Sequence, residues 1–409
     1  MRRFLQLAFR NVFRNRRRTL MTLLVVSGGV SGLLLTGGFF AFMFQGLRES
    51  TIRNGLGHMQ VFNAERFRRQ ESRALENGLD DYRRLTAIAA GTPHVRGVAP
   101  RIEFYGMVSN GSKSSVYMGS AVEPAREREM GFVPNVTAGR YLSDKPDTGF
   151  EAMIGAGLAR TMAAKPGDSL TLLAVTADGA LNGIDVDVVG IVTSGFKELD
   201  ERLLTVTVPA AQHLLESERV SNLVIGLDRT ENTDAVYTAL LPRIRGGSQE
   251  LTIRKWVELA TYYRQVRLMM SGIFLFVGVI VFFMVVMSSA NTIMMAMFER
   301  TREIGTMLAM GTPRAWLVGL FLLEALVTGV LAAAGGLAAG NLLGWGVNRA
   351  GIVLPPPPGN TTGMPLRVLH EPGLMIGASA MVVATLALAA IVPAWRASRL
   401  RIVEALAHV

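Results

Sequence analysis

Four long uncharged runs constrain the fold of this chain more than any other feature of its sequence. The longest is Leu268 to Phe298, 31 residues between Arg267 and Glu299. A helix crosses a bilayer core with about 20 apolar residues, so this run is long enough to span the core and project beyond it. Half of the 409 residues are hydrophobic, 18% are charged and the mean hydropathy is +0.32. Together these values favour a membrane protein.

Three further runs have the same character. One covers Thr19 to Leu47, another covers Pro372 to Trp395, and a third, from Ala315 to Asn348, is interrupted only by Glu324. The first is too long for the apolar core of a signal peptide and has no convincing cleavage motif, so we expect it to remain as an anchor. The sequence therefore predicts four transmembrane helices, at residues 19–47, 267–298, 314–348 and 372–395.

The placement of charge predicts the orientation of these helices. The whole formal charge of +10 lies in the basic segment 1–18, the segment 299–314 and the tail 396–409, whereas the long segment 48–267 is neutral. By the positive-inside rule, both termini and the segment 299–313 are cytoplasmic, and the segments 48–266 and 349–371 are extracytoplasmic. We therefore expect a multi-pass protein of the cell inner (plasma) membrane. Because the basic excess flanks membrane helices, it indicates contact with membrane lipid, and no nucleic-acid partner is expected.

The outer segment, residues 48–266, contains no cysteine, so a buried core has to stabilise it without disulfides. Its patterns alternate between strands and short helices, with a hairpin predicted at Asn110-Gly111 and a helix in "GAGLARTMAA". The fold class predicted is an α-helical membrane domain with a large extracytoplasmic α+β domain between helices 1 and 2. We expect two lobes, with an inserted lobe at about 123–198, and helices 1 and 2 continuing outward as stalks.

No catalytic constellation stands out. The five histidines are scattered without metal-ligand spacing, and the glycine-rich stretches match neither a P-loop nor a nucleophile elbow. Paired acids lie on predicted strands or turns, where solvated surface charge explains them. We therefore predict no catalytic, metal or cofactor-binding residue, and a chain that is not itself an enzyme.

Glycines recur at four-residue spacing within two of the membrane runs. They are Gly28 and Gly32 in the first, and Gly336, Gly340 and Gly344 in the third. Small residues at this spacing let helix backbones approach closely in lipid. The contact they make is either within the four-helix unit or between two chains of a dimer.

Glu324 is the one acid well inside a membrane run. An intramembrane carboxylate is a candidate functional group, for a proton or a substrate. It lies only ten residues from Arg314, so the alternative is a structural bond near the inner surface.

The stretch "MFERTREIGTMLAMGTPRAW" places a compact charged segment between two membrane runs. Its apolar and charged residues recur at helical spacing, and Gly-Thr-Pro ends the pattern before the next membrane helix. Such an amphipathic helix either lies on the membrane surface or binds a protein. Its mixed charge and its attachment to membrane helices at both ends favour a protein partner.

This stretch resembles the coupling segment of MacB/FtsX-type ABC transporter permeases. "LAFRNVFRNRRRTLMTLL" and "VPAWRASRLRIVEALAHV" resemble the terminal signatures of that family, and "GAGLARTMAAKPGDSLTLL" is similar to its extracytoplasmic core. The resemblance implies a dimer, formed with a second copy or a paralogue, that works with two cytoplasmic ABC ATPase subunits. ATP and Mg would be bound by those subunits, and this chain would bind no cofactor.

Carried over by position, the resemblance also implies a coupling set. The residues expected to contact the ATPase are Glu299, Arg300, Arg302, Glu303, Ile304 and Gly305. Those expected to support them are Met307, Met310 and Gly311. The basic stretch Arg14 to Arg18 is expected to lie along the inner membrane surface.

The cargo remains open at the level of sequence. The single four-helix set is similar to the lipoprotein-releasing (LolC/LolE-like) branch, which hands acylated proteins to a periplasmic lipoprotein carrier. It is equally similar to MacB-like efflux permeases that act with an adaptor, and to FtsX-like members that transport nothing. The outer loop, with its prolines Pro355 to Pro358, is either a plain connection or a contact for lipid or cargo. Lipoprotein or lipid-linked cargo is the expectation that we carry forward.

Overall fold

A computed structural model describes residues 9–14, 16–68, 75–144, 149–244, 249–356, 359, 361 and 363–399. Most of the predicted cytoplasmic tail, part of the basic N-terminal segment, and Pro357 and Pro358 lie outside the described residues. The chain divides into two compact units. The membrane unit comprises residues 1–45, 266–354 and 365–409. The outer unit comprises residues 46–265 and 355–364.

Helices and strands alternate through the outer unit, whereas long helices make up most of the membrane unit. The helices are α1 (Arg16–Thr51), α2 (Glu65–Arg68), α3 (Tyr82–Ala90), α4 (Pro124–Met130), α5 (Ala156–Met162), α6 (Lys197–Asp200), α7 (Val208–Leu215), α8 (Thr233–Ile244), α9 (Trp256–Leu259), α10 (Thr261–Glu299), α11 (Thr301–Ala309), α12 (Arg314–Ala350) and α13 (Pro372–Ser398). The strands are β1 (Met59–Asn63), β2 (Val95–Ser109), β3 (Ser114–Val122), β4 (Asn135–Gly139), β5 (Phe150–Gly155), β6 (Ser169–Val175), β7 (Leu181–Thr193), β8 (Leu203–Thr207), β9 (Asn222–Leu227), β10 (Leu251–Lys255), β11 (Val353–Leu354) and β12 (Met364–Pro365).

Four helices, α1, α10, α12 and α13, are long and apolar enough to cross a membrane. They coincide with the four uncharged runs of the sequence. At 1.5 Å per residue, the 36 residues of α1 and the 39 of α10 extend for roughly 54 and 58 Å, well beyond a bilayer core of about 30 Å. The length expected of stalk-forming helices is therefore present in both.

The glycines of α12 pack against α1. A Cβ atom at Gly336 would lie 2.5 Å from the Cβ of Val30, and one at Gly340 would lie 2.9 Å from Leu34. The Ser31 hydroxyl donates a hydrogen bond of 3.0 Å to the Gly336 carbonyl, so the two backbones approach closely. Gly344 lies instead against Val368 and His370.

The glycines predicted on α1 occupy a different environment. A Cβ atom at Gly28 or Gly32 would meet nothing within 4 Å, and both residues are exposed alongside Leu24 and Met21. Their neighbour Gly29 makes the close approach instead, to Val281 of α10. Gly28 and Gly32 therefore make no close helix contact within the described part of the unit. A dimer contact on this exposed face of α1 stays a prediction.

Within the described residues, the outer unit is built on one sheet of ten strands. Nine follow the order β10-β1-β9-β2-β3-β8-β5-β7-β4, and β6 pairs with β2 and β7. The long strand β2 joins both halves of this path, because its first part pairs with β9 and its second part with β3 and β6. The hairpin predicted at Asn110-Gly111 is confirmed, with Ser109 opposite Ser114. The helix predicted in "GAGLARTMAA" is confirmed as α5. The proposed division into two lobes stays a prediction.

One large hydrophobic core runs through the outer unit. It includes Ile102 and Phe104 from β2, Leu158 from α5 and Leu204 from β8, all essentially inaccessible to solvent. This apolar burial supplies the stabilisation that a cysteine-free domain needs.

Candidate functional site: the segment joining α10 to α12

The charged stretch between two membrane helices folds as the short helix α11. The preceding helix α10 ends at Glu299, α11 begins after Arg300, and the chain turns at Gly311 before Pro313 precedes α12. Gly311 has a φ of +88°, a left-handed conformation that glycine adopts without steric cost. The helix and its stop, both predicted from the sequence, are therefore confirmed.

The inner face of α11 packs into the membrane unit. Ile304 is 2% exposed and lies in a cluster with Leu317 and Phe321 of α12 and with Ala394 and Ala397 of α13. Met307 and Leu308 of α11 are partly buried against the same cluster. These contacts join α11 to both α12 and α13 through closely packed side chains.

The opposite face of α11 is exposed. Arg302, Thr306 and Ala309 lie on it at the i, i+4, i+7 spacing of one helical face, and Met310 follows with 75% of its surface exposed. Among the described residues, the Arg302 side chain has no hydrogen-bonding or ion-pair partner. This surface, which we call the α11 outer face, combines a free cation with an exposed apolar side chain.

Two ion pairs join α11 and the end of α10 to the N-terminal part of the chain. Both Nη atoms of Arg14 donate to the Glu303 carboxylate, one at 3.1 Å, and Arg18 Nη1 donates to Glu299 Oε2 at 3.1 Å. The hydrogen bond from Arg14 lowers the pKa of Glu303 below its ordinary value of 4.5. Arg14 and Glu303 are each about half exposed, so their attraction is screened by solvent.

A third and more buried connection is centred on Glu324. Its Oε1 accepts hydrogen bonds from Asn11 Nδ2 at 2.6 Å and from Arg300 Nη1 at 3.2 Å. Arg300 Nη2 also donates to the backbone carbonyl of Asn11 at 3.0 Å. The side chains of Arg300 and Glu324 are only 11% and 14% exposed, and a buried pair of this kind needs such additional bonds to offset its desolvation. Glu324 is therefore bonded to both residues, and its role as a proton or substrate site stays a prediction.

The nine predicted coupling residues occupy three environments. Arg302 and Met310 belong to the exposed α11 outer face, and Gly311 forms the exposed turn beside it. Glu299 and Glu303 are paired with arginines of the N-terminal part. The residues buried or partly buried in the membrane unit are Arg300, Ile304, Gly305 and Met307.

Sequence patterns do not predict the contacts of the N-terminal part. The expectation that Arg14 to Arg18 lie along the inner membrane surface and help orient the first helix stays a prediction, and no pattern singles out Asn11. A lone Asn beside arginines carries no spacing signal, because its partners, Arg300 and Glu324, are about 290 to 313 residues away. The only available hint was charge complementarity between the basic N-terminus and the two acids at 299 and 303.

Comparison with known proteins matches most of the chain. Residues 19–242 match the model described as MacB-like periplasmic core domain, and residues 273–402 match the model described as FtsX-like permease C-terminal. The lipoprotein-releasing system transmembrane protein LolC of Neisseria meningitidis serogroup B is 23% identical over 283 residues, 67% of each chain.

A second relative and one solved structure are also similar to parts of this chain. The protein of the same name from Xylella fastidiosa is 22% identical over 348 residues, which cover 81% of this chain and 82% of that one. Among solved structures, the periplasmic region of MacB from Actinobacillus actinomycetemcomitans aligns with a TM-score of 0.37 at 14% identity. That alignment covers 52% of this chain and 95% of that one.

Proposed function

Since the chain belongs to the family of permeases that carry a MacB-like periplasmic core domain and an FtsX-like C-terminal region, we propose that it converts ATP hydrolysis in a separate cytoplasmic ATPase into movements of its outer domain. It is an ABC transporter permease subunit. We assign ATP and Mg to the partner ATPase, and we expect a second permease, identical or paralogous, to complete the complex.

The observation that supports the coupling is the two-sided character of α11. Its inner face is packed against α12 and α13 through Ile304, and its outer face presents Arg302 and Met310 without cover from the described part of this chain. A helix that is exposed on one side and packed on the other is suited to receive a partner and to pass its displacement on. A helix-in-groove contact of this kind uses i, i+4 and i+7 anchors.

The polar connections support the same role. Glu303 and Glu299 are held by Arg14 and Arg18, and Arg300 is held by Glu324 and Asn11. These bonds orient α11 with respect to the start of α1 before any partner binds, which lowers the entropic cost of docking.

Lipoprotein or lipid-linked cargo is our proposal for what is moved. It is supported by relatives named as lipoprotein-releasing transmembrane proteins, one of which aligns over 81% of this chain. Native mass spectrometry of the complex extracted into nanodiscs would test it. A mass with two permeases, two ATPases and an acylated protein supports the proposal, and an assembly that carries an adaptor without acylated cargo contradicts it.

The coupling proposal is tested by reversing the one unpaired charge of the α11 outer face. We expect Arg302→Glu to reduce co-purification of the cognate ATPase or its ATP hydrolysis in the complex by roughly ten-fold, the effect of about 1.4 kcal/mol at an interface. The measurement is the ATPase to permease ratio after purification, followed by the hydrolysis rate.

The matched control is Arg160→Glu, the same charge change at an exposed position of α5 in the outer unit. It should leave both quantities unchanged. If Arg302→Glu also leaves both unchanged, the α11 outer face is not the ATPase contact.

A further inference from the structure

Gly359 and Thr361, in the loop between α12 and α13, belong to the outer unit and bond to its residues 193–197. The Thr361 amide donates to the Gly195 carbonyl at 2.9 Å, and the Lys197 amide donates to the Gly359 carbonyl at 2.8 Å. The hydroxyl oxygens of Thr193 and Thr361 are 3.4 Å apart. The loop is therefore fastened by backbone bonds to residues 193–197, a segment that we call the junction segment.

The junction segment also contacts the chain at the end of α1 and at the start of α10. Asn54, in the turn that directly follows α1, donates from Nδ2 to the Ser194 carbonyl at 3.4 Å. The ring of Tyr262, in the first turn of α10, packs edge-to-face on Phe196 with centroids 5.8 Å apart. The chain leaving α1, the chain entering α10 and the loop that joins α12 to α13 therefore all meet one five-residue segment.

Asp200 fixes the conformation of this segment. Its side chain, 1% exposed, accepts hydrogen bonds from Thr193 Oγ1 at 2.6 Å, from the Ser194 amide at 2.7 Å and from Ser194 Oγ at 2.6 Å. Bonds to an ionised carboxylate are about twice as strong as neutral ones. A segment held in this way transmits a displacement instead of absorbing it.

The junction segment is also part of a cavity wall. Thr193 and Ser194 line a cavity of the outer unit whose floor includes the apolar side chains of Val122 and Met153. Ser120, on the neighbouring strand β3, lines the same cavity and is partly exposed. A shift of the junction segment relative to β3 therefore changes the width of the cavity.

We propose that residues 193–197 are the point at which the connections from all four membrane helices converge on the outer domain, and that this segment sets the opening of the adjacent cavity. The outer loop stays docked on the segment throughout the transport cycle. The inference rests on the proposed function only because ATP hydrolysis is taken as the source of the movement.

The absence of cysteine in the chain permits a direct test with Ser120→Cys as a reporter. The labelling rate of that thiol is measured in the permease–ATPase complex without nucleotide and after trapping with ATP and vanadate. We expect the two rates to differ severalfold. Thr361→Pro, which removes the amide donor to Gly195, should abolish the difference, whereas Thr361→Ala, which keeps the amide, should preserve it.

A disulfide between Thr193→Cys and Thr361→Cys tests whether the loop stays docked. Because the two native hydroxyl oxygens are 3.4 Å apart, the cross-link forms without large movement. Oxidation should leave the ATP hydrolysis rate of the complex unchanged. Hydrolysis that stops on oxidation and returns with reductant would show that the loop must undock, which overturns the proposal.

The remaining outcomes separate this inference from the proposed function. If no ATPase is recovered with the unmodified chain, the proposed function fails. If the ATPase is present and active but labelling of Ser120→Cys is insensitive to nucleotide, or Thr361→Pro keeps the sensitivity, the junction inference alone is wrong.

Discussion

Glu324 and Arg300 illustrate how single residues connect distant parts of the membrane unit. Arg300, between α10 and α11, bonds to Glu324 of α12, and both bond to Asn11. In a nearly buried pair, loss of one member leaves the other charge unpaired, which is more destabilising than loss of an exposed pair. The acid inside this membrane run is therefore hydrogen-bonded near the Arg314 end of α12, and a proton or substrate role for it stays a prediction.

The Arg14–Glu303 pair gives a residue-scale prediction. Arg14→Glu and Glu303→Arg should each weaken ATPase stimulation by about two- to five-fold, since an exposed pair contributes roughly 0.2–1 kcal/mol. The double variant, with the charges exchanged, should recover most of the loss. The measurement is the ATP hydrolysis rate of the purified complex.

The direction of the pKa shift of Glu303 defines the pH range in which this ion pair contributes to stability. The pKa of Glu303 in the folded protein lies below 4.5, so its contribution is complete above pH 4.5 and declines only as the pH falls below that value. The comparison at neutral pH thus probes a fully formed pair. A double variant no better than the single ones would show that contact between these two side chains does not position α11.

At the scale of elements, the close contact between α1 and α12 depends on glycine. A Cβ atom at Gly336 would approach the Cβ of Val30 at 2.5 Å and the Ser27 carbonyl at 2.9 Å. Gly336→Ala should therefore force the helices apart and lower the stability of the purified permease by about 1–3 kcal/mol. The measurement is the midpoint of thermal unfolding in detergent.

The matched control lies on the same helix. A Cβ atom at Gly346 would meet nothing within 4 Å, so Gly346→Ala should leave the midpoint unchanged or raise it slightly, because alanine favours helix. Equal midpoints for the two variants would mean that this helix contact does not limit stability.

At the scale of the whole molecule, the orientation predicted from charge is open to a direct test. Ser112 lies at the exposed turn between β2 and β3, and Thr306 lies on the α11 outer face. In spheroplasts with an intact inner membrane, a membrane-impermeant thiol reagent should label Ser112→Cys and not Thr306→Cys until the membrane is permeabilised. The reverse pattern would contradict the positive-inside assignment.

The elements that the sequence predicted best are those with local causes. Runs of 24 or more uncharged residues leave a helix across the bilayer as the simplest outcome, and all four helices are present. The turn at Asn110-Gly111 and the stop at Gly311 depend on a few adjacent residues. The family resemblance also indicated α11, because the motif that carries it is one continuous stretch of sequence.

Only the tertiary structure decides which residues distant in the chain pair with each other. Periodicity predicted an amphipathic α11, but it did not show which charged residues would pair with other parts of the chain. It therefore did not distinguish the exposed Arg302 from Arg300, which pairs with Glu324. It predicted glycine packing but not that Gly29, instead of Gly28, faces α10. The sequence leaves the outer loop as a plain connection or a contact for lipid or cargo, and it does not predict the hydrogen bond from Thr361 to Gly195. Composition and local patterns determine that this chain forms membrane helices and an α+β outer domain, because hydration and backbone sterics act along the sequence. Partners hundreds of residues apart are chosen by the packed fold.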